Sequence, residues 1–457
     1  MSGPSPRVAF WGKNVASHYS TLTRRFTELG VEAVRFGPTT GERRYRGLPD
    51  TPIRRALDVV VRVTDKATAM VDGGGLVPGP VRSLLAAVPR AIGVAARRLE
   101  CWLDAAHLAT RFDVLVFGFG KTPTDTELEL RLYRLLRRRL VFVFHGSDAR
   151  PPYLDAVRVP PDEEPDWDKL RAATQRMQRR LARVERRADV ILAYPAITHF
   201  LTREITDWYH LEKPLSLPTL TTPGRPPARP DARRTLRVGH APSHRGGKGT
   251  PQLVAAIESL RAGGLDVELV MPDGFAPKED VLAMLSTCDL TVDQVWADVP
   301  GATLAAELAA LGWKVLVGAS ERDFLTARYP ERCRVIRLFD PWDLEAVLHA
   351  ELSDRSSSHA AGARFGSAPL EVAQRHLDAI LGSPRPGARF EPRQMPGVFG
   401  FGPENHLRSV TSEYVRRFGA EALELDHKPW LRDRIVAWCA STPAAPAHGA
   451  DVGEGPA

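Results

Sequence analysis

Short, largely apolar runs separated by helix-length segments recur along this chain in two series, and no other feature narrows its fold as much. In the first series the runs fall at residues 7–10, 32–36, 114–117, 140–144 and 190–193. The unbroken apolar runs 114–117 and 140–144 read as strands covered on both faces, as in a parallel sheet. Helical spacing fills several intervals: residues 17–29, stopping at Gly30 where a left-handed C-cap is expected, then 125–139 and 167–187. Residues 37–80 are punctuated by Gly and Pro and read as loops with one short helix. Residues 81–110 read as a long basic amphipathic helix or helix pair.

Six prolines between Pro214 and Pro230 then mark an extended, semi-rigid linker. Beyond it the alternation resumes, with strands expected at 237–239, 267–270, 290–292 and 315–317. Helices are expected at 250–262, 278–285, 303–311 and 342–352. After a Pro- and Gly-rich stretch, helices follow near 407–418 and 430–439, and a Pro-, Ala- and Gly-rich tail is expected to be disordered. The expectation is an α/β protein of two doubly wound, Rossmann-like domains with a C-terminal extension. Its boundaries are 1–212, linker 213–234, 235–382, extension 383–440 and tail 441–457. The length of 457 residues agrees with two large domains.

Charge divides along the same line. Residues 1–250 hold 42 Lys+Arg and 26 Asp+Glu, a net +16. Subtracting these from the chain totals of 62 and 55 leaves 20 against 29, a net −9, for the remainder. A coat for nucleic acid needs its positive charge on one continuous face, so the uneven division argues against one and for a basic lobe that meets an anionic surface or acceptor. Within that lobe the basic segments 81–98 and 131–139 read either as packed helices of an Arg-rich domain or as a surface for an anionic membrane. No apolar run approaches the ~18 residues of a membrane-spanning helix, and the first residues lack the apolar core of a secretory leader. A cytoplasmic protein, or one peripheral on the inner membrane face, is expected. Cys101, Cys288, Cys333 and Cys439 stand far apart without a C-x-x-C pair and read as small buried apolar residues.

The strongest motif lies between the first strand and first helix of the second series: His240-Ala-Pro-Ser-His-Arg-Gly-Gly-Lys-Gly-Thr250. Gly246, Gly247 and Gly249 let backbone approach a ligand closely. Arg245 and Lys248 supply cations, His244 adds a polar ring, and the next helix offers free N–H groups and the positive end of its dipole. Together these suit a diphosphate. The Gly-Lys-Thr at 120–122 lacks the earlier glycine of a P-loop, and the turn after the first strand has a single glycine, Gly12, so neither nucleoside-triphosphate hydrolysis nor dinucleotide redox chemistry is indicated. His145-Gly-Ser-Asp148 follows an apolar strand and so stands at the carboxyl edge of a sheet, where open α/β folds bind ligands. The acidic residues at 162–168 read as helix-start carboxylates rather than metal ligands. Glu307, alone among alanines in 301–312, suits a ribose diol.

These residues resemble the retaining glycosyltransferases of GT-B architecture, of the large family 4 type, over residues 7 to about 381. The resemblance rests on His-Gly-Ser-Asp at 145–148, Ala-Asp-Val-Ile-Leu at 188–192, the 240–250 loop and Glu-Leu-Ala-Ala-Leu-Gly at 307–312. It implies two domains facing a cleft, with a nucleotide sugar held by the second. Arg245 and Lys248 would bind its diphosphate, and Gly12, His244, Gly246, Gly247, Gly249, Asp298, Thr303 and Glu307 would complete the donor site. Lys13, Asn14, His18 and Asp148 would stand on the acceptor side, with His145 beside the reacting sugar. The family pairs Glu307 with a glutamate eight positions earlier; Val299 occupies that place here and Asp298 adjoins it.

The function so implied is sugar transfer from a nucleotide-diphosphate sugar to a glycan, lipid-linked or small-molecule acceptor, with retention, without metal and without a further cofactor. Two alternatives share the fold: a sugar-nucleotide epimerase or phosphorylase, and a catalytically silent sugar-nucleotide-binding protein.

Overall fold

The computed structural model describes residues 5–14, 17–38, 45–46, 51–73, 79–161, 163–215, 235–274, 276–353 and 366–441. Most of the expected linker, residues 216–234, lies outside these. So do Asp162 of the acidic run and residues 442–457 of the expected tail. In chain order the strands are β1 Val8–Trp11, β2 Ala33–Pro38, β3 Tyr45–Arg46, β4 Val114–Gly118, β5 Arg139–Val143 and β6 Val190–Ala193. There follow β7 Ile205–Asp207, β8 Leu236–Gly239, β9 Val267–Val270, β10 Leu290–Ala297, β11 Val315–Ala319, β12 Ile336–Phe339 and β13 Arg389–Phe390. The chain folds as two compact units, one of Met1–Phe144, Arg183–Leu192 and Ala373–Arg385, the other of His145–Ala182, Ala193–Val372 and Pro386–Ala457.

In the first unit the strands run β3-β2-β1-β4-β5-β6. All neighbours are parallel except β2 and β3. This is the doubly wound order whose direction reverses between β1 and β4. Both strands there are wholly buried, as their unbroken apolar runs require. At the end of β1, Gly12 has φ +130°, and a Cβ on it would stand 3.3 Å from the Gly118 backbone. Glycine is needed there because two chain segments leave the sheet side by side.

The second unit has its own parallel sheet, β12-β11-β10-β8-β9. Relabelled from its first strand the order is 2-1-3-4-5, which reverses between β8 and β10. Leu253, Ile257 and Leu260 of helix Thr250–Ala262 pack on one side with Val238, Val292 and Phe339, while Ala305, Leu308 and Ala309 of helix Thr303–Ala310 pack with Val315, Val317 and Ile336. An antiparallel pair in this unit joins β7 to β13. The C-terminal helices Glu404–Phe418 and Pro429–Ala440 belong to this unit. They are tied in where Tyr153 stacks on Tyr414 at 5.3 Å and the buried Lys428 ammonium donates 2.6 Å to the Thr198 carbonyl.

The two doubly wound α/β sheets expected from the sequence are therefore present. One reading needs correction: residues 37–80 hold a 22-residue helix, Pro52–Gly73, and not merely one short helix. Its neighbour Gly79–Arg111 is a single 33-residue helix. The Gly and Pro residues flanking the first helix hid its start and end, and its interior carries its large apolar residues on the wrong side for a buried face.

Candidate functional site

The strand order of the second unit reverses between β8 and β10, and open α/β sheets bind ligands beyond the carboxyl ends of the strands at such a reversal. β8 leads directly into His240, which is fully buried. Its Nδ1 lies 2.7 Å from the Val292 carbonyl and its Nε2 2.9 Å from the Thr250 hydroxyl. Burial pushes His240 down to about 4, so it is a neutral brace between the two strands and the following helix. Above it, His244 caps the turn Arg245–Lys248, its Nδ1 accepting from the Gly247 N–H at 3.0 Å. Gly249 then takes φ +78°, and a Cβ there would lie 2.5 Å from the Val295 side chain. Its left-handed turn aims Lys248 inward.

The Lys248 ammonium lies 3.0 Å from Asp293 Oδ1 on β10. Asp293 is fully buried, and its other oxygen accepts the Ala302 N–H at 3.2 Å, just ahead of helix Thr303–Ala310. Burial opposes its ionisation, but Lys248, the Ala302 N–H and Lys213 together outweigh burial and hold the carboxyl below its usual range. The ladder between β10 and β11 slips between Val292 and Gln294, and such an irregularity is how a strand re-aims one side chain beside a site.

A second buried cation faces the same helix start. Lys213 places its ammonium 3.4 Å from the Thr303 hydroxyl, 4.9 Å from the Tyr209 ring centre and 5.5 Å from that of Trp208. Burial, then the charge of Arg332, brings it far below the ordinary amine range. Arg332 is itself buried, its guanidinium 5.0 Å from the Tyr209 ring centre. The carboxylates whose charge reaches Lys213 are Asp293 and Glu307, and each is already ion-paired. Glu307 is buried on the inner face of its helix with its carboxylate 2.5 Å from Lys278. Burial raises it, against the pull of Lys278.

His145 and Asp148 belong to this unit as well. Asp148 accepts the backbone N–H groups of His145 at 2.9 Å and Gly146 at 2.7 Å, so its carboxylate shapes the turn that presents the histidine. The His145 ring meets Trp208 edge-on at 5.2 Å, and burial pushes it down to about 4, leaving a neutral imidazole. Trp208 thus connects His145 to Lys213. Asp298 is buried and bonded by Arg150, with 3.1 Å from the guanidinium Nε. Arg150 also lies 3.7 Å from Asp155 and 5.1 Å from the Phe401 ring centre.

Of the residues singled out in the sequence, the fold places His145, Lys248, Thr303 and Glu307 around Lys213, while Asp298 is engaged by Arg150. Gly12, Lys13, Asn14 and His18 belong to the first unit. Asn14 there caps helix His18–Glu28: its Oδ1 accepts the Tyr19 and Ser20 N–H groups at 3.0 and 3.2 Å, and its Nδ2 donates 2.7 Å to the Ser20 hydroxyl. Lys121 and Thr122, in the P-loop-like stretch, stand apart from any such arrangement, and Thr122 hydrogen-bonds the buried Glu129. Sequence reasoning missed Lys213, Arg150, Asp293, Lys278 and Arg332. Asp293 had a signal, since a carboxylate inside an otherwise buried strand demands a partner.

No family model and no curated protein matches the sequence. Among solved structures the chain is similar to one described as the glycotransferase of kitacinnamycin, at 14% identity over 84% of this chain and 98% of the other, with a TM-score of 0.36. It is also similar to the glycosyltransferase SnogD from Streptomyces nogalater, at 16% identity over 84% and 97%, with a TM-score of 0.31. At these TM-scores no residue role passes from either protein to this chain.

Proposed function

We propose that the protein transfers a sugar from a nucleotide-diphosphate sugar to an acceptor, with the donor bound beyond the strand ends at the reversal in the second unit. One observation carries this reading: the buried Lys213 faces the Thr303 hydroxyl at the start of helix Thr303–Ala310 and feels the charges of Arg332 and Lys248, so a diphosphate placed there meets concentrated positive charge. Lys248 and Lys213 bind the diphosphate oxygens together with the Thr303 hydroxyl. Arg245, on the same turn, is a further candidate contact. Glu307, released from or shared with Lys278, accepts a hydrogen bond from the ribose. The neutral His145 exchanges a hydrogen bond with the sugar.

In the reaction the bond from the anomeric carbon to the diphosphate oxygen breaks, and a bond to the acceptor oxygen forms on the same face, giving retention. The acceptor proton passes to the leaving diphosphate. The fixed cations stabilise the charge that builds there, a task that needs no metal. The acceptor class is a glycan, a lipid-linked sugar or a small molecule, and the net +16 of residues 1–250 favours an acidic one.

Release of nucleoside diphosphate from a panel of nucleotide sugars, with and without candidate acceptors and with and without EDTA, tests this reading. Release that requires acceptor and persists in EDTA supports it. Release without acceptor points to an epimerase or hydrolytic activity, and strict dependence on Mg²⁺ or Mn²⁺ overturns the metal-free mechanism. A second reading, a catalytically silent sugar-nucleotide-binding protein, is favoured by Asp298 and Glu307 both being held in ion pairs. Tight binding of UDP or GDP with no turnover across the panel would select it.

A further inference from the structure

In the first unit, helices Pro52–Gly73 and Gly79–Arg111 pack against one another with their polarity reversed. Small and polar groups line part of their seam. Thr64 and Asp58 are buried, and a Cβ on Gly93 would meet the Thr64 hydroxyl at 2.7 Å. Arg97 pairs with Asp65 at 3.0 Å, and Arg54 pairs with the buried Asp104. The large apolar residues point outward: Ile53, Val63 and Val88 are 60%, 60% and 65% exposed and Met70 71%.

These exposed residues are not scattered. On the first helix Ala56, Val59, Val60, Val63 and Met70 recur at helical spacing on the side away from the seam. On the second, Val88, Ile92, Ala95 and Leu99 form an i, i+4, i+7, i+11 stripe, also away from it. A water-facing hairpin would show the opposite pattern. Small residues between helices and large apolar ones outside are the arrangement of helices in an apolar surround. Among the described side chains of the hairpin the exposed charge is mostly cationic: Arg55, Arg62, Lys66, Arg90, Arg97, Arg98 and Arg111, against Asp65, which pairs with Arg97. The other described acids, Asp58, Glu100 and Asp104, are buried or half-buried.

We propose that this hairpin docks the protein on an anionic lipid bilayer, with the two apolar stripes in the acyl boundary and the arginines at the headgroups. No helix among the described residues is long and apolar enough to cross a membrane, so the hairpin lies in the interface. A second copy of the chain is the poorer occupant. A two-fold interface would bring the same cationic patch of each copy together, and like charges across it repel. The proposal stands independently of the sugar-transfer reading.

The test is flotation of the full-length protein with phosphatidylcholine vesicles, with and without phosphatidylglycerol, beside light scattering of the free protein. Association should require the anionic lipid and weaken with salt. The variant Arg62→Gln/Lys66→Gln/Arg98→Gln should lose roughly two orders of magnitude in vesicle affinity, about fivefold per cation. Val63→Ser/Ile92→Ser should lose binding at low and high salt alike. Both variants keep the wild-type circular dichroism and melting profile if the stripes face outward; were either to misfold, the lipid requirement of the wild type alone decides. Equal association with neutral and anionic vesicles, or none with either, overturns the proposal. So does a stable dimer that Val63→Ser/Ile92→Ser dissociates while vesicle binding is absent.

Discussion

Lys213 offers a test in which stability and binding should move in opposite directions. Its ammonium is buried beside two aromatic rings and feels Arg332 and Lys248, while the carboxylates that reach it are committed to other lysines. Replacing a poorly compensated buried ion by an apolar residue of similar volume is neutral or stabilising by about 1–4 kcal/mol. The variant Lys213→Met should therefore unfold at the same or a higher temperature than the wild type at pH 7. The same change removes a desolvated partner of the diphosphate, a loss of about 2–5 kcal/mol, or roughly 30- to 4,000-fold in Kd. Protons provide a third readout. The folded protein holds the Lys213 proton less tightly than the unfolded chain, so this group's contribution to stability falls as pH drops from the ordinary lysine range through the depressed folded value. A bound anion restores the proton. Pyrophosphate or UDP binding should thus take up protons at pH values between the depressed folded value and the ordinary lysine range, and this uptake should vanish in Lys213→Met. Calorimetry in buffers of different ionisation enthalpy measures this directly. A variant that melts lower than the wild type and binds pyrophosphate equally well would refute the reasoning.

If Lys248 neutralises the leaving diphosphate, Lys248→Ala should lower kcat/KM by about two to four orders of magnitude, the scale of one lost transition-state charge contact, as read by diphosphate release. Gly249→Ala should cost more than ~1 kcal/mol, because alanine is strained at φ +78° and its Cβ runs into Val295; a drop in melting temperature with weakened UDP binding is the expected pair of signals. Arg150→Met leaves Asp298 buried without its cation and should destabilise by about 3–5 kcal/mol at pH 7. Burial already raises Asp298, so the folded state holds that proton more readily than the unfolded chain, and stability lost in Arg150→Met should partly return as pH falls toward 5. Adding Asp298→Leu should recover most of the loss in denaturant midpoint.

Segments with one consistent period were legible. Helices Trp167–Arg187, Thr250–Ala262 and Lys278–Leu285 end where their sequence pattern ends, and the buried strands β4, β5 and β6 announce themselves as unbroken apolar runs. The strand β12 was not legible, because Arg337 interrupts a four-residue run at the edge of its sheet. Nor was helix Pro52–Gly73, where Ile53, Val59, Val60, Val63 and Met70 face outward instead of into a core. At the site, the 240–250 loop stood out through glycines and cations held close in sequence. Lys213 did not, since it sits at the margin of a proline-rich stretch that reads as linker.

By itself, the sequence determined two doubly wound sheets and the loop that begins the second, because strand burial, helix period and glycine placement are local properties of the chain. Only the tertiary structure decided which charges meet. Asp293 takes Lys248, Arg150 takes Asp298, Lys278 takes Glu307, and Lys213 comes to rest among cations. These pairs join residues from 29 to 148 positions apart, and their energies depend on burial and distance, which no local pattern encodes.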